Sequence, residues 1–512
     1  MSPPSSLSPP AAGRTEWLGL AVLVLPTLLL SLDLTVLHLA VPHLVRDLHP
    51  SSNQLLWILD VYGFMVAGFL ITMGALGDRW GRRRLLLWGA AAFGIASVLA
   101  ALSTSATMLI ITRALLGVAG ATLMPSTLAL IRNLFHRDDQ RTVAISIWTT
   151  GFLVGGAIGP LVGGVILEFA RWQTVFLLGV PVMGLLLVAG PKLLPEYRDP
   201  DAGPLDLASA VQCVLALLGW TYALKEVTRS GFTLDVIGAS LLAAAATLIF
   251  VRRQQRLAQP MFDLALLSHG GFRVAVGGMM ISLLAMSGAW LLVYQYLQGV
   301  QQLSPLEAGV VMLPAAVAQV LITQFVPAMQ RRIRHSVLVT VSMLVAALGF
   351  VLMAGVGHGG GIGLLVVGAL LMGSGLMPMM ILATEQVVTS VPPEKAGVAS
   401  ATSETAVELG MALGIAVMGS LGARLYRDEL TAALSSVLPE TLLAQAGETL
   451  SAALELAPQT AEPELVVAAA EAAFSHALAL NALWGAALVV VVALWLGRHH
   501  WRAEKAAGAS VK

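Results

Sequence analysis

Charge is what this sequence has least of. Asp, Glu, Lys and Arg make up 11% of its residues, against about 25% in a soluble globular chain. So few charges cannot cover a water-facing surface, and lipid must solvate most of the chain. Cysteine is nearly missing: Cys213 stands alone, which excludes an intrachain disulfide and a cysteine metal cluster. The scattered histidines show no spacing that resembles a metal site. No P-loop occurs, so direct ATP drive within the chain is not expected. Basic and acidic residues balance at 29 each, and a formal net charge of zero argues against a nucleic-acid surface.

What is abundant is apolar. Hydrophobic residues reach 57% and the mean hydropathy is +0.83. A bilayer core needs about 20 apolar residues per helix. Runs of that kind fall near 17–40, 53–76, 84–102, 107–130, 142–168, 173–191, 205–226, 233–252, 271–299, 306–328, 336–356, 361–390, 397–424 and 474–497. In lipid each must be helical, because only a helix satisfies its own backbone groups within one segment. The first run is too long for a signal peptide's apolar region and lacks a convincing cleavage site, so it is expected to be retained. The expectation is an all-α membrane protein of 14 transmembrane helices.

Lys and Arg set the orientation. Alternate loops collect Arg79, Arg82, Arg83 and Arg84, then Arg132, Arg137 and Arg141, then Arg252, Arg253, Arg256 and Arg273, then Arg331, Arg332 and Arg334. The C-terminal tail adds Arg498, Arg502, Lys505 and Lys512, whereas the opposite side holds Arg46, Arg171, Lys225, Arg229, Arg424 and Arg427. Both termini are therefore expected in the cytoplasm. Residues 426–473 form a long segment on the other side, rich in Ala, Leu and Glu, and read as a helical hairpin between spans 13 and 14. It is either a cation-gathering mouth or, more simply, a solvated cap.

A 6+2+6 plan fits the count and a weak similarity between the 4–5 and 12–13 joins; parallel halves around a midplane site are a recurring transporter design. The expected units are a disordered tail (1–16), a six-helix bundle (17–191), two linking helices with their loops (192–270), a second six-helix bundle (271–497, including the 426–473 insert) and a tail (498–512).

Four motifs stand out. The loop after span 2 reads Gly-Ala-Leu-Gly-Asp-Arg-Trp-Gly-Arg-Arg-Arg over residues 74–84. An acid followed by a basic cluster at a helix end forms ion pairs that hold one conformation shut; a plainer reading is that the positives only set topology. Span 5 carries Gly155, Gly156, Gly159, Pro160, Gly163 and Gly164. Glycines four apart make a flat strip against which another helix packs closely, and Pro160 favours a bend. Span 4 carries Arg113 ahead of Gly117 and Gly120, and a mid-span arginine needs a partner or a wet cavity. Span 1 reads Leu-Asp-Leu-Thr-Val-Leu-His-Leu-Ala-Val-Pro over residues 32–42.

The loop motif resembles the signature of the major facilitator superfamily. The span 5 motif resembles the antiporter signature of its drug exporters, and Arg113 with its glycines is similar to their fourth-span motif. With the span 1 motif and Trp57-Ile58-Leu59-Asp60-Val61-Tyr62, the chain resembles the fourteen-span drug:proton antiporters, nearest to exporters of quaternary ammonium compounds and cationic dyes. His38 departs from the commonest first-span pattern. The resemblance implies a major facilitator fold, a bacterial plasma membrane, and a proton gradient in place of any cofactor. It also implies a monomer exporting small lipophilic cations, biguanide-like antiseptics included.

Five carboxylates inside the apolar runs are the ones to weigh: Asp33, Asp60, Glu385, Glu404 and Glu408. Burial of an acid is expensive, which makes it a functional candidate. A proton and a cationic guest compete for one such carboxylate, and that competition is the coupling an antiporter needs. Asp33, Asp60, Glu404 and Glu408 are the expected proton and cation residues. Glu385 reads as a wet-edge charge and His38 as a helix-contact residue. Trp57, Tyr62 and Phe64 are expected to offer aromatic faces to the cation, though Trp57 also fits an interfacial belt. Asp78, Arg79, Arg82 and Arg113 are the expected gate, and Gly155, Gly159, Pro160, Gly163 and Gly164 the antiporter helix motif. A native-metabolite exporter or symporter on the same scaffold is the alternative; a non-transporting sensor would not need buried acids.

Overall fold

The computed structural model describes residues 11–198, 206–257, 260, 266, 268–358, 361–389 and 396–509, and every α-helix or 3-10 helix named below lies within them. Its α-helices are α1 (Arg14–Leu48), α2 (Ser52–Trp80), α3 (Arg82–Ala101), α4 (Ala106–Leu134), α5 (Asp138–Phe169), α6 (Gln173–Leu177), α7 (Gly179–Leu193), α8 (Leu207–Ser230) and α9 (Leu234–Gln254). There follow α10 (Gly270–Gly299), α11 (Pro305–Gln330), α12 (His335–Ala354), α13 (Gly361–Thr389), α14 (Ala396–Leu434), α15 (Glu440–Ala446), α16 (Leu450–Leu456) and α17 (Pro463–Ala509). Fourteen helical segments are long and apolar enough to cross a membrane, with α6 and α7 sharing the sixth.

The starts of these helices are written in local chemistry. Ser51 accepts from the Gln54 amide (3.2 Å) while the Gln54 side chain accepts from the Ser51 amide (3.0 Å), a reciprocal cap on α2. Ser304 and Glu307 cap α11 in the same way, with Pro305 in the first turn, where its missing N–H costs nothing. Prolines inside α1, α4, α5, α11 and α13 do not end those helices. Neighbouring helices tolerate the backbone group each proline frees.

Several ends differ from expectation. α1 begins at Arg14, where the Gly13 amide donates to Glu16 Oε2 (2.7 Å), so the expected tail of residues 1–16 ends sooner; residues 1–10 lie outside the described residues. α17 runs on to Ala509 through the expected tail 498–512, of which residues 510–512 are not described. Much of the 426–473 insert belongs to neighbouring helices, since α14 continues to Leu434 and α17 starts at Pro463. Between them lie the short α15 and α16 and a 3-10 turn at Ala457–Gln459. Tyr426 and Phe474 pack edge to face beneath them.

α1 packs on α5, α2 on α4, and α3 on α4 and α7. Separately, α12 packs on α13 and α17, α10 on α14 and α17, and α11 on α13. The groups meet chiefly where α2 packs on α14 and α5 on α11, with α1 also touching α10. α8 lies against α9 and reaches both α2 and α14. At the start of α8, Asp206 accepts from Arg253 Nη2 of α9 (2.8 Å) and from the Ser209 hydroxyl. Partial burial pushes the Asp206 carboxyl up, but those hydrogen bonds outweigh it and hold the pKa below the usual range.

Candidate functional site

Asp33 of α1 meets Arg113 of α4. Arg113 is fully buried and its Nη1 donates to Asp33 Oδ2 at 2.5 Å. Its Nε donates to the Ile58 carbonyl of α2 at 3.3 Å, and its guanidinium carbon sits 4.6 Å from the centre of the Tyr62 ring. The glycines after Arg113 explain how α4 comes so near α2: a Cβ on Gly117 would lie 2.6 Å from the Tyr62 carbonyl oxygen. Arg113 thus belongs with Asp33 in the core, not with the loop charges it was grouped with in sequence.

Asp60 of α2 has a partner of its own. Lys225 of α8 places Nζ 2.7 Å from Asp60 Oδ2, and both side chains are sealed from solvent. The same ammonium lies 4.1 Å from the centre of the Trp57 ring. By sequence, Lys225 falls among the positive charges of the far side. The structure corrects this: Lys225 is inside the protein, and burial without a partner is what such a charge cannot bear. Its signal in the sequence is faint, a lysine closing the apolar run 214–224.

Two of the three expected aromatic contacts therefore face protein cations, Tyr62 under Arg113 and Trp57 under Lys225. Phe64 faces neither. It is fully buried against Ala412 and Ala416 of α14 and Leu217 and Leu218 of α8, as packing between helices.

Glu404 and Glu408 lie one turn apart on α14. Glu408 is buried beside α2, where Gly63 faces Ala412 and the Glu408 carbonyl, and its Oε2 has no hydrogen-bond partner. Glu404 keeps an exposed side chain between buried Ser403 and Thr405. Among the described residues no Lys, Arg or His pairs with either glutamate. Asp33, Glu408 and Arg113 all lie within electrostatic range of Tyr62, which gathers α1, α2, α4 and α14 around one centre. His38 is buried within electrostatic range of Arg113, and its Nδ1 lacks a hydrogen-bond partner. Glu385 stands at an exposed edge, accepting from Gln330 Nε2 at 2.6 Å.

The loop cluster is a separate assembly, at the junction of α2 and α3. Arg82 Nε donates to Asp78 Oδ1 (2.8 Å) across the break at Gly81, and Arg82 Nη1 reaches the Pro125 carbonyl (3.4 Å). Arg79 is exposed. Glu196, which the sequence reading missed, follows α7 and ion-pairs with Arg83 and Arg84 at 3.7 Å each. Gly81 has a φ of +112°, and a Cβ there would lie 2.5 Å from Glu196 Oε1. The positive φ favours glycine here, whereas the Glu196 carboxylate, at the end of a flexible side chain, can shift aside.

The α5 motif does two jobs. A Cβ on Gly155 would strike the Leu28 carbonyl, one on Gly159 the Thr35 hydroxyl, and one on Gly163 would lie 2.6 Å from Val36 Cγ1, so this strip seats α1. Gly164 instead meets Leu306, and the Pro160 carbonyl meets Gly309, both on α11. Further contacts close the face that carries α15 and α16. Gly419 meets Leu56, Arg427 Nη2 donates to Ser52 Oγ (3.2 Å), the Ser52 amide donates to Glu448 Oε2 (2.6 Å), and Arg46 pairs with Glu455 (3.5 Å).

The family model of the Major Facilitator Superfamily matches residues 23–415. The chain is 39% identical to the multidrug efflux pump LfrA of Mycolicibacterium smegmatis, over 95% of this chain and 97% of the relative. It is 35% identical to the methyl viologen resistance protein SmvA of Salmonella typhimurium, over 94% and 98%. A tetracenomycin C resistance and export protein of Streptomyces glaucescens is 32% identical over 82% and 78%. A similar fold occurs in the crystal structure of a bacterial homolog of the human lysosomal transporter Spinster, inward-facing and unoccupied. The TM-score is 0.69 at 16% identity, covering 96% of this chain and 98% of that one.

Proposed function

Because this chain belongs to the major facilitator superfamily, and is a multi-span membrane transporter and not an enzyme, we propose that it exports lipophilic cations in exchange for protons. The observation that carries the reading is the contrast among three buried acids, Asp33, Asp60 and Glu408, and the exposed Glu404 one turn from the last. Asp33 and Asp60 are each neutralised by a protein cation, whereas Glu404 and Glu408 have none. A carboxylate in a low-dielectric site without a counter-charge takes up either a proton or a positive guest. Glu408 and Glu404 are the pair at which that exchange occurs. Asp33 and Arg113 carry the exchange into conformation, since a guest or proton near Tyr62 changes the field that holds their ion pair. LfrA and SmvA, described by multidrug efflux and methyl viologen resistance, support the substrate class, in which quaternary ammonium compounds, cationic dyes and biguanides fall.

Spans 1–6 and 9–14 act as two halves with α8 and α9 between them. The termini lie in the cytoplasm of a bacterium, and the chain acts as a monomer. Contacts of α2 with α14 and of α5 with α11 seal the face bearing α15 and α16, so the site opens toward the cytoplasm beside Glu404. Alternating access breaks those contacts and closes the Asp78, Arg82 and Glu196 side.

Ethidium uptake into inverted vesicles under an imposed proton gradient tests the reading. Uptake that an uncoupler abolishes, and that Glu408→Gln lowers at least about tenfold (about 1.4 kcal/mol), supports it. Absence of uncoupler-sensitive movement across a panel of cationic dyes would turn the assignment to a native metabolite.

A further inference from the structure

Lys225 sits among groups that would suit an organic cation. Its ammonium rests on the face of Trp57 at 4.1 Å and pairs with Asp60 at 2.7 Å. A carboxylate beside an aromatic face is the general recognition chemistry for an organic cation. The lysine reaches that seat from α8, a helix that packs against both α2 and α14. Asn53 Nδ2 donates to Glu226 at 3.4 Å one residue further on, tying the same turn of α8 to α2. Lys225 also borders a small cleft together with Asn53, Leu56 and Ser420, on the side of the face bearing α15 and α16.

We propose that Lys225 is a tethered stand-in for a substrate cation, filling a second cation seat formed by Asp60 and Trp57 and so limiting the positive charge the protein accepts from a guest. The proposal rests on the exporter reading above and deepens it, because it names the residue that sets substrate charge. With Lys225 in place, Glu404 and Glu408 alone face the guest. Without it, Asp60 and Trp57 become available to a second positive centre on the same molecule. The linking helices then do more than join two halves: α8 supplies a specificity residue.

Ethidium and propidium share a phenanthridinium ring, and propidium adds one fixed quaternary ammonium. Gradient-driven uptake of each is measured in inverted vesicles for the wild type, Lys225→Met and the double variant D60N/K225M. Lys225→Met is expected to raise the propidium-to-ethidium ratio about tenfold, equivalent to about 1.4 kcal/mol. The double variant, which buries no lone charge, is expected to lose that gain. Should Lys225→Met fail to reach the membrane, Lys225→Gln is read against the same ratio, and propidium binding to purified protein in detergent provides a measure independent of transport. An unchanged ratio in the single variant, or a gain that survives removal of Asp60, overturns the proposal. Wild-type vesicles that move neither dye would instead overturn the exporter reading itself.

Discussion

At the scale of single residues, the chain solves the problem of buried charge twice in the same way. Arg113 and Lys225 each neutralise an aspartate and lie over an aromatic ring. Such pairs are costly to break singly, at about 3–5 kcal/mol when one partner is removed and the other stays buried. Asp33→Asn is therefore expected to abolish pH-driven export while protein remains in the membrane, and uncoupler-sensitive ethidium efflux in cells checks it. Wild-type rates in that variant would remove Asp33 from the mechanism. Asp33, Asp60, Glu404 and Glu408 were legible in the sequence because any acid in an apolar run invites attention. Their partners were not. Lys225 stands 165 residues from Asp60, and a lysine near the end of a span looks like a topology signal until another helix is seen beside it. The faces of Trp57 and Tyr62 do carry cations, and those cations belong to the protein.

At the scale of helices, small residues decide which neighbours come close. The four-residue spacing of Gly155, Gly159 and Gly163 announces a contact strip, and α1 is the helix it seats. Gly159→Leu is expected to lower thermal stability in detergent by roughly the 1–3 kcal/mol typical of overpacking and to abolish efflux. Gly184→Ala, where a Cβ meets nothing within 4 Å, is expected to match the wild type in both measurements. Equal melting points for all three proteins would mean that the α1–α5 approach is not tight. The spacing could not reveal that Gly164 and Pro160 face α11, since a helix pattern names a face and not its occupant. For the same reason the loop motif showed Asp78 and Arg82 but not Glu196, which arrives from the segment after α7.

For the whole molecule, the arrangement of α2 against α14 and α5 against α11 closes one face and leaves Glu404 open. Alternating access requires those seams to part. An ideal Cβ on Gly63 would sit 3.1 Å from the Ala412 Cβ, close to the separation of about 3.5–4.5 Å that a disulfide spans. With Cys213 replaced by alanine, Gly63→Cys with Ala412→Cys is expected to cross-link on oxidation and stop ethidium efflux, and reduction is expected to restore it. Full cross-linking with unimpaired efflux would show that this seam does not open during transport.

Composition and hydropathy by themselves determined a membrane chain with fourteen crossing helices, because a bilayer offers the backbone no other partner and each crossing must therefore be written as an uninterrupted apolar run. They also determined which acids are out of place. Only the tertiary structure decided which of those acids are paired with a protein cation and which have no such partner among the described residues. That choice depends on side chains brought together from α1, α2, α4, α8 and α14, and electrostatic pairing follows distance in space, to which order along the chain gives no guide.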